Sequence, residues 1–357
     1  MLEPLFRALP PAASTTPVVS TGDLPSADRV RSVLEEAHAR YASVREGSVA
    51  SYIPALASAD PGWFGACITS VSGDQFAVGD AAVPFSIQSI SKVFVFALVC
   101  DALGVEPARE RLGVNNTGLP FDSVIAVEQH PDRLTNPMAN PGAIATTSYV
   151  PAANADERWE RISAGLSAFA GRTLSLDLAV YASEAASNLR NQGIAHLLAG
   201  YGRLGGDPDE ATDVYTKQCS LSVTCHDLSV MAATLADGGV NPVTGERVVD
   251  AETCQHVLAV QATAGLYERS GDWLYEVGLP GKSGVSGGIV TMAPGKGGLA
   301  TFAPPLDLAG NSVRGQLLTK FLAERLGLNV FMSASRQPVA AGGAKGATPP
   351  WRRVRRE

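Results

Sequence analysis

The sequence predicts a mixed α/β (α+β) protein, with one antiparallel sheet flanked by helices and a helical subdomain. Two observations carry this prediction. Segments with strand-like patterns occur near residues 64–78 and again between 273 and 302. The long stretch between them follows mainly helical periodicity. Strands at both sequence ends of the body, separated by helices, indicate a single sheet that is completed by distant segments.

The predicted elements follow the chain in a simple order. Ser26 is a candidate cap for a first helix, in which apolar residues recur at helical spacing from Val30 to Val44. The predicted strands are 64–71, 75–78, 273–277, 287–292 and 299–302. The predicted later helices are 89–103, 155–170, 174–204, 224–236, 251–261 and 313–326.

Composition divides the chain into three parts. Residues 1–25 are rich in Pro, Ala, Ser and Thr, and we expect a flexible N-terminal segment there. Residues 26–332 form the predicted folded body, with the helical insertion at roughly 104–262. Residues 333–357 turn to Gly, Ala and Pro and contain four arginines among the last six residues, which predicts a disordered basic tail.

Charge and hydropathy exclude several classes of protein. The net charge is −7, which argues against a nucleic-acid partner. The N-terminus lacks a basic region followed by an apolar stretch, and no apolar run reaches membrane-spanning length. We therefore expect a cytoplasmic protein with no membrane partner.

Cysteine and histidine usage predicts neither disulfides nor a bound metal. The five cysteines are odd in number and irregularly spaced, as expected for buried thiols in a reducing compartment. The five histidines have no paired ligand spacing, and Cys219 and Cys225 do not form a Cys-x-x-Cys motif. We expect no metal and no cofactor.

A Ser-x-x-Lys pattern, Ser89 and Lys92, opens the apolar helix predicted at 89–103. Residues three apart share a helix face, so the lysine amine can reach the serine oxygen. A helix N-terminus offers positive potential to a developing oxyanion. A lysine in apolar surroundings loses proton affinity and can act as a base. Nucleophilic serine catalysis requires these features, although a capping serine beside a solvated lysine gives the same pattern.

A second lysine motif strengthens this hypothesis. The chain has only six lysines, and Lys282 lies in Lys282-Ser283-Gly284. This motif resembles the Lys-Thr-Gly element of penicillin-recognising enzymes, in which Ser-x-x-Lys is the first element. A glycine-rich turn before a strand is the simpler alternative. A phosphate loop is disfavoured because residues 289–292 have a strand pattern, not a helical one.

From about residue 47 to 328 the chain resembles the serine-dependent glutaminase family, which has a serine β-lactamase/transpeptidase-like fold. The motifs that carry the resemblance occur in the family's order: 47–54 (GSVASYIP), 88–92 (QSISK), 136–144 (NPMANPGAI), Ser183-Glu184 with Arg190-Asn191, Tyr215 before Cys219-Ser220, 223–225 (VTC), 277–285 (VGLPGKSGV), 304–307 (PPLD) and 310–313 (GNSV).

The resemblance implies a role for each matching residue and a substrate, L-glutamine. Ser89 would be the nucleophile and Lys92 its base, with Tyr267 as a proton relay and Tyr215 as a rival for that role. The residues matching those that hold the substrate's amino-acid end are Tyr52, Gln88, Asn140, Glu184, Asn191 and Tyr215. Backbone N–H groups of Ser89 and Val285 would form the oxyanion hole. A homodimer or homotetramer is also implied.

The chemistry of a free amino acid agrees with these roles. Burying its ammonium and carboxylate requires an opposite charge and several donors. Glu184 suits the ammonium, while asparagine and tyrosine side chains can donate to the carboxylate. Glu184 and Asn191 are seven residues apart, which on one helix places both toward a single cleft. Pro141 and Gly281 replace the family's usual alanines, and Pro141 stiffens the loop beside Asn140.

Two other functions remain open on the sequence. A penicillin-binding peptidase or β-lactamase shares both lysine motifs, but no Ser-Asp-Asn element separates them here. A non-catalytic amino-acid-binding protein on the same scaffold would need neither Ser89 nor Lys92. Glutamine hydrolysis is the function that we expect.

Overall fold

The computed structural model describes residues 22–332. The predicted N-terminal segment, apart from residues 22–25, and the predicted tail at 333–357 lie outside the described residues. Within the described part of the chain, no helix is long and apolar enough to cross a membrane.

Helices and strands alternate irregularly along the chain. The strands are β1 (Gly65–Ser70), β2 (Gln75–Gly79), β3 (Phe85–Ser86), β4 (Ser175–Leu176), β5 (Leu221–Val223), β6 (Gly281–Ser283), β7 (Gly288–Ala293) and β8 (Gly297–Phe302). The helices are α1 (Ala27–Tyr41), α2 (Ser91–Leu103), α3 (Val105–Leu112), α4 (Ile125–Gln129), α5 (Asn140–Ser148), α6 (Ala155–Ala170), α7 (Leu178–Ala185), α8 (Leu189–Gly200), α9 (Pro208–Cys219), α10 (Cys225–Ala236), α11 (Ala251–Ala264), α12 (Ser270–Glu276) and α13 (Val313–Leu326).

The predicted antiparallel sheet, completed by distant segments, is confirmed, but it is not the single sheet expected, because β3, β5 and β4 form a second antiparallel sheet. Five strands pair in the order β2-β1-β8-β7-β6, and every pair is antiparallel. The junction between the two ends of the chain is the β1–β8 pair, in which Cys67 faces Ala300. β1, β7 and β8 are buried along their whole length. Such strands are central in a sheet that is covered on both faces.

Two layers of helices cover the sheet. Helix α10 packs against β1, β7 and β8 on one face, while α1 and α13 pack together on the other. A glycine permits the first contact, because a Cβ at Gly298 would lie 2.4 Å from the Ala232 Cβ. Helices α2 to α9 pack beyond α10 around the larger hydrophobic core. The groove between this helical part and β6 contains the residues discussed below.

The predicted strand at 273–277 is wrong, because these residues lie in or next to α12. The aromatic and β-branched residues of this segment suggested a strand, but burial follows a helical period. Trp273 and Val277, four apart, are buried, whereas Tyr275 between them is 90% exposed. The Trp273 indole also donates a hydrogen bond to the Leu279 carbonyl at 2.8 Å. Tertiary contacts of one aromatic residue therefore select helix over strand.

The predicted single helix at 174–204 is divided into β4, α7 and α8. Asp177 begins α7 by accepting hydrogen bonds from the Ala179 and Val180 N–H groups, both at 3.0 Å. After α7, the Asn188 amide donates to Thr216 Oγ1 at 3.1 Å and holds the break against α9. Glu184 and Asn191 therefore lie on different helices, and the argument that they share one helical face was wrong.

Smaller differences have local causes. Ser26 occupies the predicted N-cap position of α1, but its side chain forms no capping hydrogen bond. Helix α1 ends at Tyr41. The loop expected at Pro141 is the first turn of α5. A proline fits there because the first N–H groups of a helix have no partner within it.

Candidate active site

Ser89 lies in a buried turn at the start of α2. Residues Gln88–Ile90 form one turn of 3-10 helix that leads into α2, and Ser89 is 7% exposed. The preceding Ile87 N–H donates to the Leu221 carbonyl at 2.8 Å, which attaches this turn to β5. Gln88 has a φ of +50°, a left-handed conformation that disfavours residues other than glycine. Strain of this kind is common at functional sites.

Lys92 follows Ser89 by one helical turn and is almost completely enclosed. It is 1% exposed, and its amine donates to Asn140 Oδ1 at 2.6 Å. Burial lowers the pKa of Lys92 to about 8, against the weaker opposing effect of distant acidic groups. A lysine amine with this pKa has an appreciable neutral fraction near physiological pH, and that fraction can accept a proton.

Asn140, from the start of α5, is the centre of a network of polar side chains. Its Oδ1 accepts from both the Lys92 amine and the Tyr215 hydroxyl, the latter at 3.3 Å. Its Nδ2 donates to Asn191 Oδ1 at 3.0 Å. These bonds determine which way each amide is turned, and they leave the Asn191 Nδ2 group as the donor at the end of the chain.

Glu184 is the buried acid of the site. It is 8% exposed, and the Gln88 amide donates to its Oε2 at 3.3 Å. Burial raises the pKa of Glu184 to about 7, while the Gln88 hydrogen bond and the Lys92 charge act in the opposite direction. An enclosed carboxylate without an ion pair favours a cationic ligand.

Tyr267 and Lys282 form the opposite wall. The Tyr267 hydroxyl donates to the Ser283 carbonyl at 3.0 Å and lies near the Ser89 hydroxyl. The Lys282 amine donates to the same Ser283 carbonyl at 2.9 Å and lies 4.3 Å from the centre of the Tyr267 ring. Burial and the nearby Lys92 charge lower the pKa of Lys282. Tyr267 also has a positive φ of +55°.

The turn after β6 approaches the Ser89 turn closely. A Cβ at Gly284 would lie 3.1 Å from the Ile87 carbonyl oxygen and 3.3 Å from Ile90 Cγ1. A residue without a side chain therefore allows this approach. Val285, the next residue, is 4% exposed and belongs to a small buried cluster that includes Tyr267. The second lysine motif consists of strand β6 and the turn that leads into strand β7. A phosphate loop would be followed by a helix, so the structure disagrees with that alternative.

The structure brings all of the sequence-predicted site residues to one groove. Tyr52 is 59% exposed and comes just before the turn Pro54–Ser58, which packs against α7, the helix that carries Glu184. The loop that follows it is attached to α7, where the Ala55 N–H donates to Ser183 Oγ at 3.1 Å.

Sequence reasoning missed two residues of this groove. Phe121 lies 4.6 Å from the Tyr267 ring and 5.8 Å from the Lys92 amine, and its carbonyl accepts from the Asn140 N–H at 2.7 Å. It comes from an irregular segment between α3 and α4, where no motif could have indicated it. Lys282 was recognised as part of a motif but was not included among the site residues.

The fold and the two lysine motifs place the protein in the serine β-lactamase-like class. The sequence model of the family described as Glutaminase matches residues 47–331. Glutaminase 2 of Yersinia pestis is 57% identical over 88% of this chain and 93% of its own length. The glutaminase of Brucella canis is 47% identical over 86% of this chain and 96% of its own. The chain belongs to the glutaminase family, whose members are amidohydrolases.

Solved structures agree. The probable glutaminase ybaS has a TM-score of 0.85 and 43% identity, covering 87% of this chain and all of its own. A probable glutaminase from Bacillus subtilis, complexed with 6-diazo-5-oxo-L-norleucine, has a TM-score of 0.75 and 30% identity, covering 85% of this chain and 97% of its own. The expected fold class is thereby confirmed.

Proposed function

We propose that the protein hydrolyses L-glutamine to L-glutamate and ammonia through an acyl-enzyme formed on Ser89. The observation that carries the proposal is the buried Lys92 amine, one helical turn from Ser89, whose polar partner Asn140 is uncharged. A lysine enclosed without a carboxylate is costly unless it can be neutral. A general base must be able to exist in the neutral form, whereas a lysine that only contributes surface charge need not.

Acylation begins when the Lys92 amine takes the Ser89 hydroxyl proton. The Ser89 oxygen attacks the side-chain carbonyl carbon of glutamine, and the carbonyl oxygen becomes an oxyanion. Backbone N–H groups of Ser89 and Val285 stabilise that charge. Collapse of the intermediate re-forms the carbonyl and breaks the C–N bond. The nitrogen must gain a proton to leave as ammonia, and the proton comes from Lys92.

The amino-acid end of glutamine binds at the other side of the groove. The Glu184 carboxylate pairs with the substrate ammonium, and the Asn191 amide donates to the carboxylate, with Tyr52 closing over them from the mouth. Gln88 hydrogen-bonds Glu184 and connects this subsite to the nucleophile turn. An ammonium beside Glu184 lowers the pKa of that carboxyl below 7, so the substrate promotes its own recognition.

Deacylation uses water. The Lys92 amine removes a proton from a water molecule, whose oxygen attacks the γ-glutamyl ester. The ester bond to Ser89 breaks, the Ser89 oxygen takes back a proton from Lys92, and glutamate is released. Atoms and charges are then restored to the starting state.

The substrate assignment is tested by ammonia release from L-glutamine, L-asparagine and the glutamine analogue without an α-amino group. Hydrolysis of a chromogenic cephalosporin is measured in parallel. We expect turnover of L-glutamine alone at an appreciable rate. Hydrolysis of the cephalosporin in preference to glutamine would favour the peptidase or β-lactamase alternative. Binding of glutamine without turnover would favour the non-catalytic alternative.

Glu184→Gln tests the ammonium subsite. The change keeps the shape of the side chain and removes its charge, so glutamine binding is expected to weaken by about 1.5–3 kcal/mol, the range for a hydrogen bond to a charged group. The KM for glutamine should rise accordingly. Glu110→Gln, an exposed site on α3, is the matched control and should change nothing. An unaltered affinity in Glu184→Gln would refute the assignment.

Tyr267→Phe and Tyr215→Phe separate proton relay from binding. Tyr267 lies beside Ser89 and can pass a proton from Lys92 toward the leaving nitrogen, whereas Tyr215 donates to Asn140. Loss of a general acid costs roughly 10²–10⁴-fold, so Tyr267→Phe should lower kcat by that factor. Tyr215→Phe should mainly raise KM. A large kcat loss confined to Tyr215→Phe would reverse the two roles.

Two further parts of the proposal are a cytoplasmic location, which cysteine usage supports, and assembly into a homodimer or homotetramer, which the resemblance supports. All five cysteines are buried and unpaired, as suits a reducing compartment. Light scattering after size-exclusion chromatography measures the assembly, and a mass of one chain would contradict it.

A further inference from the structure

A buried chain of hydroxyl and amide groups connects the Ser89 turn to two neighbouring helices. We propose that Ser91 and Gln218 are positioning residues, which hold the strained Gln88 backbone and thereby set the position of Ser89 relative to the substrate-binding helices α5 and α9. This inference rests on the proposed role of Ser89 as nucleophile.

Hydrogen bonds to its carbonyl group stabilise the strained conformation of Gln88. The Gln88 carbonyl accepts hydrogen bonds from both the Ser91 N–H and the Ser91 hydroxyl, the latter at 2.8 Å. A left-handed conformation costs roughly 1–2 kcal/mol for a residue other than glycine. Surrounding contacts must therefore impose it, and Ser91 supplies two of them directly to the strained peptide.

Gln218 holds Ser91 in turn. Its Nε2 donates to Ser91 Oγ at 3.3 Å. Its Oε1 lies 2.9 Å from Thr147 Oγ1, which also lies 3.0 Å from the Ala143 carbonyl oxygen. The Ser91 hydroxyl has one proton, which it gives to the Gln88 carbonyl, so it must act as an acceptor toward Gln218. This requirement determines the orientation of the Gln218 amide, which turns its Oε1 toward the Thr147 hydroxyl. The Thr147 proton is shared between Gln218 Oε1 and the Ala143 carbonyl.

This chain of hydrogen bonds connects the helices that carry the reacting groups. Thr147 is on α5, the helix that begins with Asn140, and Gln218 is on α9, one turn from Tyr215. Ser91, Thr147 and Gln218 are all completely buried. Buried polar groups of this kind stabilise one arrangement of a core strongly when all are paired. Here that arrangement aligns the nucleophile with Asn140 and Tyr215.

Two other buried hydroxyl groups of the protein provide matched controls for this role. Ser220 is also completely buried, but its hydroxyl donates to the Thr216 carbonyl of the preceding helical turn. Thr146, next to Thr147, donates within α5 to the Gly142 carbonyl at 2.6 Å. Removing either hydroxyl costs a buried hydrogen bond without touching the Ser89 turn.

The test compares Ser91→Ala with Ser220→Ala. Misplacement of a reacting group by about 1 Å costs on the order of 10²-fold in rate, so Ser91→Ala should lower kcat for glutamine by about 10- to 100-fold. The KM should change by less than about 2-fold, because the substrate-binding side chains remain. Ser220→Ala should keep kcat while losing a similar amount of thermal stability.

A double variant tests whether Ser91 and Gln218 act together. The effects of substitutions within one hydrogen-bond network are not additive. The double variant Ser91→Ala/Gln218→Met should therefore lose no more activity than Ser91→Ala alone. If Ser91→Ala fails to fold, Thr147→Val against Thr146→Val provides the same comparison from the other end of the chain, with the loss of kcat expected only in Thr147→Val.

Three results would overturn the inference: equal kcat in Ser91→Ala and Ser220→Ala, a raised KM with unchanged kcat, or strictly additive losses in the double variant. Ser89→Ala, assayed in parallel, separates this outcome from failure of the proposed function. An inactive Ser89→Ala beside a fully active Ser91→Ala contradicts the positioning role alone, whereas an active Ser89→Ala contradicts the nucleophile assignment itself.

Discussion

Ser89→Ala is expected to abolish ammonia release from glutamine and leave the fold intact. The substitution removes only the oxygen that would attack the amide. Ser89 forms no part of the Ser91–Gln218–Thr147 chain that holds its turn. Loss of a nucleophile in serine hydrolases costs about four to six orders of magnitude in kcat. The change is small in volume, so the melting temperature should stay close to that of the unaltered protein.

The measurement is kcat for glutamine alongside glutamine affinity by calorimetry. Binding should persist, because Glu184 and the asparagine network remain in place. Appreciable turnover in a folded Ser89→Ala protein would reject the acyl-enzyme. Loss of both binding and the folded state would call for Ser89→Gly, which probes the same oxygen with a different backbone preference.

Lys92→Arg is expected to be nearly as damaging as Lys92→Ala. Arginine retains a positive charge but cannot give up a proton at working pH. Both variants should lose roughly 10²–10⁴-fold in kcat or more, the range for removing a general base. Lys92→Met, which keeps the length of the side chain in the buried site, controls for packing. Retention of most activity by Lys92→Arg would mean that the lysine serves as a charge.

The same assignment predicts the pH dependence. A base works when it is deprotonated, and the pKa of Lys92 is lowered to about 8. Thus kcat/KM should rise as pH increases through about 8. Ionisation of Glu184, whose pKa is about 7, should add a second rise at lower pH. Glu184→Gln should remove only the lower rise, which distinguishes the two groups. A profile that falls between pH 7 and 8.5 would contradict the role of Lys92.

The sequence by itself determined the parts that depend on short-range spacing. Ser89 and Lys92 are three apart at the start of an apolar helix, so their proximity follows from helix geometry. Helices 155–170 and 313–326 match the structure in both bounds because their apolar residues keep a clear period. The antiparallel sheet followed from strand patterns at both ends of the body.

Only the tertiary structure decided contacts between distant segments. Phe121 covers Tyr267 and Lys92 from a loop without a motif, and Glu184 and Asn191 reach one groove from separate helices. The segment 273–277 is helical despite its strand-like composition, because the helix buries Trp273. The left-handed backbone at Gln88 is equally invisible in the sequence, because the groups that hold it, Ser91 and Gln218, are 127 residues apart. Such features arise from packing, which depends on where the whole chain brings its residues together, and no local pattern encodes that.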